Sequence, residues 1–189
     1  MIKYVALLRG INVGGSKLIK MAELTRVFSS LGLANVKTYI QSGNVLFDSP
    51  KTDANALTKL IEKGLSTAAG FEVPVVLRTI AELEAIVKLD PFKAKSEPDT
   101  KRYVTFLVEP PTVAPKIPLL SPKKDWEIIH LSPREVFIVA FPVKGRYGES
   151  MSLIEKIFGK SSTTRNWNTV VKILARADVG LAKGTLALP

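Results

Sequence analysis

The chain lacks cysteine altogether and contains a single histidine, His130. The first absence excludes disulfides, thiolate nucleophiles and cysteine-ligated metals. A Ser-His-Asp triad would have to use His130, which lies in the apolar run 128–131, and the sequence contains no G-x-S-x-G turn. No pair of Asp or Glu residues has the spacing of metal ligands. We therefore predict neither a metal nor a cofactor.

Long hydrophobic runs are also missing. No window reaches the roughly 18 apolar residues that a membrane span needs, and the apolar start at 4–8 is too short for a signal-peptide core. The composition is that of a soluble globular protein, with 46% hydrophobic and 23% charged residues among 189. We expect a cytoplasmic protein without a membrane partner, folded as one large domain or two small ones.

Positive charge is in excess, at +10, but it is not concentrated. Residues 1–78 hold 10 Lys/Arg against 5 Asp/Glu, and residues 79–189 hold 17 against 12. An even spread favours solubility, and it attracts polyanions only where folding gathers it on one face. Aromatic residues make up only 7% and no strand has a basic-aromatic run, so sequence-specific RNA binding is disfavoured.

Residues 1–78 predict the element order β-α-β-β-α-β. Apolar residues at helical spacing indicate the helices, and the Ser42-Gly43-Asn44 connection is typical of a hairpin. The predicted strands are 3–9, 36–41, 45–48 and 73–78, and the predicted helices are 21–31 and 53–70. This order is that of a ferredoxin-like α/β-plait, in which helices cover one face of an antiparallel sheet.

Residues 79–189 predict a second, degraded copy of the plait, so the fold class is α+β with two ferredoxin-like subdomains. The predicted helices are 79–89, 150–158 and 164–177, and the predicted strands are 102–108, 126–131 and 135–141. The segment 90–100 has the prolines and mixed charges of an exposed linker. Five prolines between 110 and 122 exclude a full helix there.

A glycine-rich turn at 10–17 lies between a strand and a helix, where backbone N–H groups can bind phosphate. Asn12 and Lys17 are the candidate ligand-binding residues in this turn. The nucleotide-binding pattern, however, has Lys directly after the last glycine, and here Ser16 separates Gly15 from Lys17. The alternative is a loop that uses glycine for positive φ.

Three further candidates lie at the ends of the predicted strands: Arg9, Gln41 and Asn44. Strand alternation places Gln41 on one face with Lys37 and Tyr39. Such a face suits either a ligand or a wet contact between the two halves. Asn44 can instead be a turn residue that tolerates the left-handed region.

The last candidates, Arg165, Asn166 and Asn168, surround Trp167 near the start of the predicted last helix, with a preceding threonine as its N-cap. At the positive end of a helix these side chains can bind an anionic group. The alternative is a docking helix anchored by its tryptophan, with a solvated basic face.

These motifs resemble a widespread bacterial family of unknown function, the domain numbered sixteen ninety-seven. The resemblance rests on LLRGINVGG at 7–15, YIQSGNV at 39–45, RNWNTV at 165–170 and the KMxxL opening of the first helix. It covers nearly the whole chain. It implies two α/β-plait subdomains and no activity, since the family has no established one. The chain departs from the family pattern in the loop 145–151 and in the prolines after Val108.

Three classes of function remain open. In the first, a binding module takes a phosphorylated or nucleic-acid ligand at the junction of subdomains 1–78 and 79–189. The residues expected to converge there are Arg9, Asn12, Gln41, Asn44, Arg165, Asn166 and Asn168. The second class is a cofactor-free enzyme acting on a small anionic substrate. The third is an architectural role, in which the motifs lock the two halves together and function lies in a partner.

Overall fold

The computed structural model describes residues 1–50, 53–95, 97, 99–147 and 151–177. Over these residues the chain forms two main antiparallel sheets, a two-stranded ribbon and five helices. The helices are α1 (Met21–Ser30), α2 (Ala54–Ala69), α3 (Ile80–Leu89), α4 (Met151–Phe158) and α5 (Trp167–Arg176). The strands are β1 (Ile2–Leu8), β2 (Ala34–Tyr39), β3 (Asn44–Ser49), β4 (Val75–Thr79), β5 (Lys101–Leu107), β6 (Leu119–Leu120), β7 (Trp126–Ser132), β8 (Glu135–Ala140), β9 (Pro142–Val143), β10 (Arg146–Tyr147) and β11 (Ser162–Asn166). None of these helices is long and apolar enough to cross a membrane.

The first sheet has the strand order β2-β3-β1-β4, with every pairing antiparallel. The element order β-α-β-β-α-β predicted for residues 1–78 is therefore correct. Helix α2 illustrates why the local signals were sufficient. The Asp53 carboxylate accepts hydrogen bonds from the backbone N–H groups of Asn55 and Ala56, and Gly70 ends the helix at φ 76°.

The second sheet has the order β11-β5-β8-β7-β6, and β11 corrects the prediction of a helix over 164–177. Residues 162–166 pair with β5, and α5 begins only at Trp167. Its N-cap is Asn166, not a threonine, and the Asn166 side chain accepts a hydrogen bond from the Asn168 N–H. Arg165 therefore does not belong to the basic face of the last helix.

The two halves share one strand order when the short strands β6, β9 and β10 are left out of the count. The first half reads β2-β3-β1-β4 and the second β7-β8-β5-β11, with β6 added beside β7. Helix α4 precedes β11 as α2 precedes β4, and α5 follows β11 as α3 follows β4. Between β5 and β7 the described residues form only the short strand β6 and no helix, as expected where prolines would break one.

One hydrophobic core joins the halves. It combines β1 of the first sheet, β5 and β8 of the second, and helices α3 and α5. Two further cores lie under α1 and α2 and against α4. Phe92, in the segment predicted to be an exposed linker, is fully buried in the shared core, with its ring 5.1 Å from that of Trp167. That prediction is therefore wrong at Phe92.

Candidate functional site

Arg165 fastens the second half to the strand ends of the first. Its Nε donates to Oδ1 of Asn44 at 2.6 Å, and its Nη2 donates to the Leu8 carbonyl at 2.7 Å. The carbonyls of Ser42 and Gly43 lie 3.1 and 3.2 Å from the same nitrogen. This set of contacts is termed the first clamp. It brings together residues 121 to 157 positions apart in the sequence.

The guanidinium of Arg165 also bonds within its own strand, through Nη1 to the Thr163 hydroxyl and the Thr164 carbonyl. All five of its N–H groups therefore have acceptors. Burial lowers the pKa of Arg165 to about 10, so the group remains charged at neutral pH. An anion would reach this guanidinium only by displacing a protein acceptor.

Arg78 makes the reverse connection, from β4 to the second half. Its Nε donates to Oε1 of Glu135 at 2.8 Å, and its Nη2 donates to the carbonyls of Leu107 and Arg134 at 2.8 and 2.9 Å. Nη1 donates to the Leu77 carbonyl. Burial lowers the pKa of Arg78, and Glu135 opposes that shift. These contacts are termed the second clamp.

The two clamps use equivalent atoms at equivalent positions of the two halves. Each arginine is the penultimate residue of its strand, Arg78 in β4 and Arg165 in β11. Each Nε bonds the side chain of the first residue of a strand in the other half, β8 for Arg78 and β3 for Arg165. Each Nη2 bonds the last carbonyl of another strand in that half, β5 for Arg78 and β1 for Arg165. The matched pairs are Arg165 and Arg78, Asn44 and Glu135, Leu8 and Leu107, Gly43 and Arg134, and Thr164 and Leu77. Each half thus contributes one arginine that binds the strand ends of the other half.

Asn12 holds the glycine-rich turn against the β2–β3 hairpin. Its side-chain amide donates to the carbonyls of Ile19 and Gln41, and its Oδ1 accepts from the Ile19 N–H at 2.9 Å. Lys17 extends in another direction, with Nζ 3.4 Å from the Glu72 carbonyl. The Gln41 side chain is exposed, and the residue contributes only its backbone carbonyl here.

Arg9 lies where the two halves meet. Its backbone N–H donates to the Pro74 carbonyl at 2.9 Å, and its Nη2 forms an ion pair with Oε1 of Glu155 on α4 at 2.5 Å. The two side chains are 27% and 26% exposed. Unlike Arg165, Arg9 can therefore be reached by a solute.

Arg9 also lines a groove of about 570 Å³ between α2 and the starts of β4 and β11, termed the junction groove. Two further cations, Lys59 and Lys160, line it, together with the carboxylates of Glu62 and Glu109. The Glu62 carboxylate accepts from the Val75 N–H. Within the described part of the chain, neither lysine has an ion-pair partner. The other lining residues are Asn55, Thr58, Pro74, Val75, Val76, Val108, Ser161 and Ser162.

Comparison with known proteins places the chain in a family. Residues 1–137 match the family described as "Protein of unknown function (DUF1697)". The chain belongs to DUF1697. The membership predicted from the motifs is therefore confirmed, and it supplies no activity.

A solved structure, that of conserved bacterial protein SP0830 from Streptococcus pneumoniae, resembles this DUF1697 member. The two are 24% identical, with a TM-score of 0.69, and the match covers 94% of this chain and 98% of that chain. The likeness shows the fold, a mixed α+β structure with two antiparallel sheets. No curated protein matches the sequence.

The structure distributes the candidate residues of this DUF1697 protein among different contacts. Arg165 and Asn44 touch, Asn12 touches Gln41, and Arg9 lines the junction groove. Asn166 and Asn168 lie at the start of α5, and among the described residues they make none of the contacts of the first clamp. Lys59 and Lys160 were missed, because an isolated surface lysine carries no signal in sequence. Across the described residues, no group of three or more His, Asp or Glu is placed to hold a metal.

Gly43→Ala is expected to lower the free energy of unfolding of the DUF1697 protein by about 1–3 kcal/mol. Gly43 has φ 79°, and an added Cβ would lie 2.7 Å from Cδ1 of Ile11 and 2.9 Å from Cβ of Leu8. Thermal unfolding measures the loss. Gly15→Ala is the control, since φ there is 76° and no described atom lies within 4 Å of the added carbon. Equal losses in both variants would show that backbone strain, not the close packing of the first clamp, decides the effect.

Proposed function

We propose that this protein is a binding module for a phosphorylated ligand, which it takes in the junction groove. The supporting observation is the gathering of Arg9, Lys59 and Lys160 around one recess. They come from three separate segments, namely the end of β1, helix α2 and the residues before β11. Folding thus brings three cations from distant positions of the sequence to one recess, which Glu62 and Glu109 also line, and grouped cations attract anions.

The floor of the junction groove suits a ligand that also has a carbon skeleton. Pro74, Val75, Val76 and Val108 supply apolar surface beside the cations. Binding sites for small molecules combine apolar lining with a few placed polar groups. The cations line one recess instead of a long stripe, so a small phosphorylated molecule fits better than a nucleic-acid backbone.

The location of the ligand site at the junction rests on a second proposal, that each half, 1–78 and 79–189, is a ferredoxin-like unit. The common strand order of the two sheets supports this. Strand β1 is buried on both faces by the outer and shared cores, so the ligand is assigned to the groove and not to the sheet surface. We retain the expectation of a cytoplasmic location as part of the proposal.

An architectural role is the second candidate, and the first clamp favours it. Every donor of Arg165 bonds protein, and Asn44 is fully buried. On this view the RNWNTV and YIQSGNV motifs lock the halves together and the partner binds elsewhere. The two candidates are compatible, since a rigid junction also fixes the groove walls.

Replacing Lys59 and Lys160 together with alanine is expected to weaken phosphate-ester binding about tenfold or more, because two charge-assisted contacts are lost. Thermal shift against nucleotides and sugar phosphates finds the ligand, since stabilisation grows with ligand concentration over Kd. Titration then compares the variant with the unmodified protein.

Lys63→Ala is the matched control for this test. Lys63 lies one turn beyond Lys59 on α2 and outside the junction groove, so its removal changes the net charge without changing the site. Unchanged affinity in the double variant would remove the groove from consideration. An equal loss in Lys63→Ala would indicate only a long-range charge effect.

A further inference from the structure

Each half of the protein lends the junction groove one lysine and one carboxylate. On α2 these are Lys59 and Glu62, which are three positions apart and therefore share one face of the helix. The second half supplies Lys160 and Glu109. Within the described part of the chain no ion pair joins these residues to one another. The groove therefore presents positive and negative groups separately.

Both carboxylates can accept hydrogen bonds from a ligand. Oε1 of Glu62 accepts from the Val75 N–H at 2.9 Å, which fixes this side chain at the groove. A carboxylate has about four lone-pair sites, so Glu62 retains further acceptor capacity. Glu109 is exposed, and it follows Val108, whose N–H donates to the Ser161 carbonyl at 3.0 Å. That backbone bond holds the Glu109 segment in place.

The carboxylates distinguish ligands by the part that is not phosphorylated. They repel a phosphoryl group, but this repulsion is the same for all monoesters of equal charge. A ligand hydroxyl, in contrast, donates a charge-assisted hydrogen bond to a carboxylate, which is roughly twice as strong as a neutral one. An ammonium group would be opposed by the lysine on the same side of the groove, whereas a neutral hydroxyl is not. The carboxylates therefore favour a hydroxylated ligand.

The uncharged lining suits the same kind of ligand. Asn55 and Thr58 lie on the face of α2 that carries Lys59, and Ser161 belongs to the second half. Their amide and hydroxyl groups donate and accept, as the hydroxyls of a sugar do. None of the described lining residues is aromatic. A nucleobase would therefore lack the stacking partner that contributes about 1–3 kcal/mol per base.

We propose that the ligand of the junction groove is a sugar monophosphate. Arg9, Lys59 and Lys160 bind its phosphoryl group, and its hydroxyls donate to Glu62 and Glu109. The inference rests on the proposed function, because it names the class of phosphorylated molecule that the groove takes. The lining holds three cations against two carboxylates, so a single phosphoryl group fits better than a polyphosphate.

The test measures the dissociation constants of glucose 6-phosphate, butyl phosphate and AMP by calorimetric titration of the full chain. All three are phosphate monoesters, so they differ in the group attached to the phosphoryl. Glucose 6-phosphate is expected to bind about tenfold or more tighter than butyl phosphate, which has no hydroxyl donors. It is expected to exceed AMP by about threefold or more, since the base finds no stacking partner. Butyl phosphate or AMP binding as tightly as glucose 6-phosphate would overturn the inference and leave the groove an anion site.

Glu109→Gln tests the role of a carboxylate, because it removes the charge and keeps the size of the side chain. The preference for glucose 6-phosphate over butyl phosphate is expected to fall about three- to tenfold, since a charge-assisted hydrogen bond becomes a neutral one. The ratio of the two dissociation constants is the measured quantity, because relief of charge repulsion acts on both phosphoryl groups alike.

Glu72→Gln is the matched control. Glu72 is exposed and lies outside the described groove lining, so its replacement makes the same change in net charge. It is expected to leave the ratio within about twofold of that of the unmodified protein. An unchanged ratio in Glu109→Gln, or an equal fall in Glu72→Gln, would overturn the assignment of the sugar hydroxyls to the carboxylates. If none of the three esters binds, the junction groove is not an anion site and the proposed function itself fails.

Discussion

Arg165→Met should lower the free energy of unfolding by about 3–5 kcal/mol. The substitution leaves the Asn44 amide oxygen and the Leu8 carbonyl without the donors that Arg165 supplies, whereas the Gly43 carbonyl keeps the Leu8 N–H. A buried acceptor that loses its partner costs about 1–3 kcal/mol. Methionine fills similar space, so the loss arises mainly from these unpaired groups. Urea unfolding followed by circular dichroism measures the effect.

Arg26→Met provides the control for Arg165→Met. Arg26 is exposed and pairs with Glu23 one turn away, so its replacement is expected to cost less than about 1 kcal/mol. Arg165→Lys should recover only a part of the stability, because an ammonium cannot reproduce the forked geometry of six contacts. If Arg165→Met keeps normal stability but loses ligand-induced stabilisation, Arg165 is a ligand-binding residue and the clamp interpretation fails.

The elements of the first half were predictable because their signals are local. Leu57, Ile61 and Leu65 recur at helical spacing and form the buried face of α2. Gly43 marks the hairpin because a left-handed turn requires it. Such patterns depend only on neighbours within a few positions of the chain, so one sequence is enough to read them.

Strand β11 could not be predicted in this way. Its sequence, Ser-Thr-Thr-Arg-Asn, is polar, yet it is buried because it pairs with β5 and its arginine reaches the other half. The RNWNTV motif continues directly into an amphipathic helix, so helical periodicity alone predicts that the helix already includes Arg165. Phe92 was missed for the same reason, since its burial depends on Trp167 and Phe137, far away in the sequence.

The candidate site shows the same division. Polar residues that packing does not require were found at both ends of the chain, and Arg165 and Asn44 do lie in contact. The sequence could not indicate that every N–H group of Arg165 already has an acceptor within the protein. Nor could it indicate that Lys59 and Lys160 would lie beside Arg9, because groove lining depends on three separate segments. A ligand at these residues stays a prediction.

The equivalence of the clamps predicts how the second responds to mutation. Glu135→Ala is expected to cost about 3–5 kcal/mol, because it leaves the guanidinium of Arg78, which is 1% exposed, without its side-chain acceptor. Glu135→Gln should cost less, about 1–2 kcal/mol. The reason lies in the first clamp, where the neutral amide of Asn44 serves a buried arginine at the equivalent position.

A double-mutant cycle of Arg78→Met and Glu135→Ala separates the charge pair from the other contacts of the clamp. The double variant should lose less stability than the sum of the single variants, since each single change leaves a buried charge unpaired and the double change leaves neither. Denaturant unfolding of the four proteins gives the coupling energy. Additive losses would mean that the Arg78–Glu135 pair is unimportant. A Glu135→Gln variant as unstable as Glu135→Ala would mean that the carboxylate charge is essential. In either case the two clamps would not be physical equivalents, despite their matched geometry.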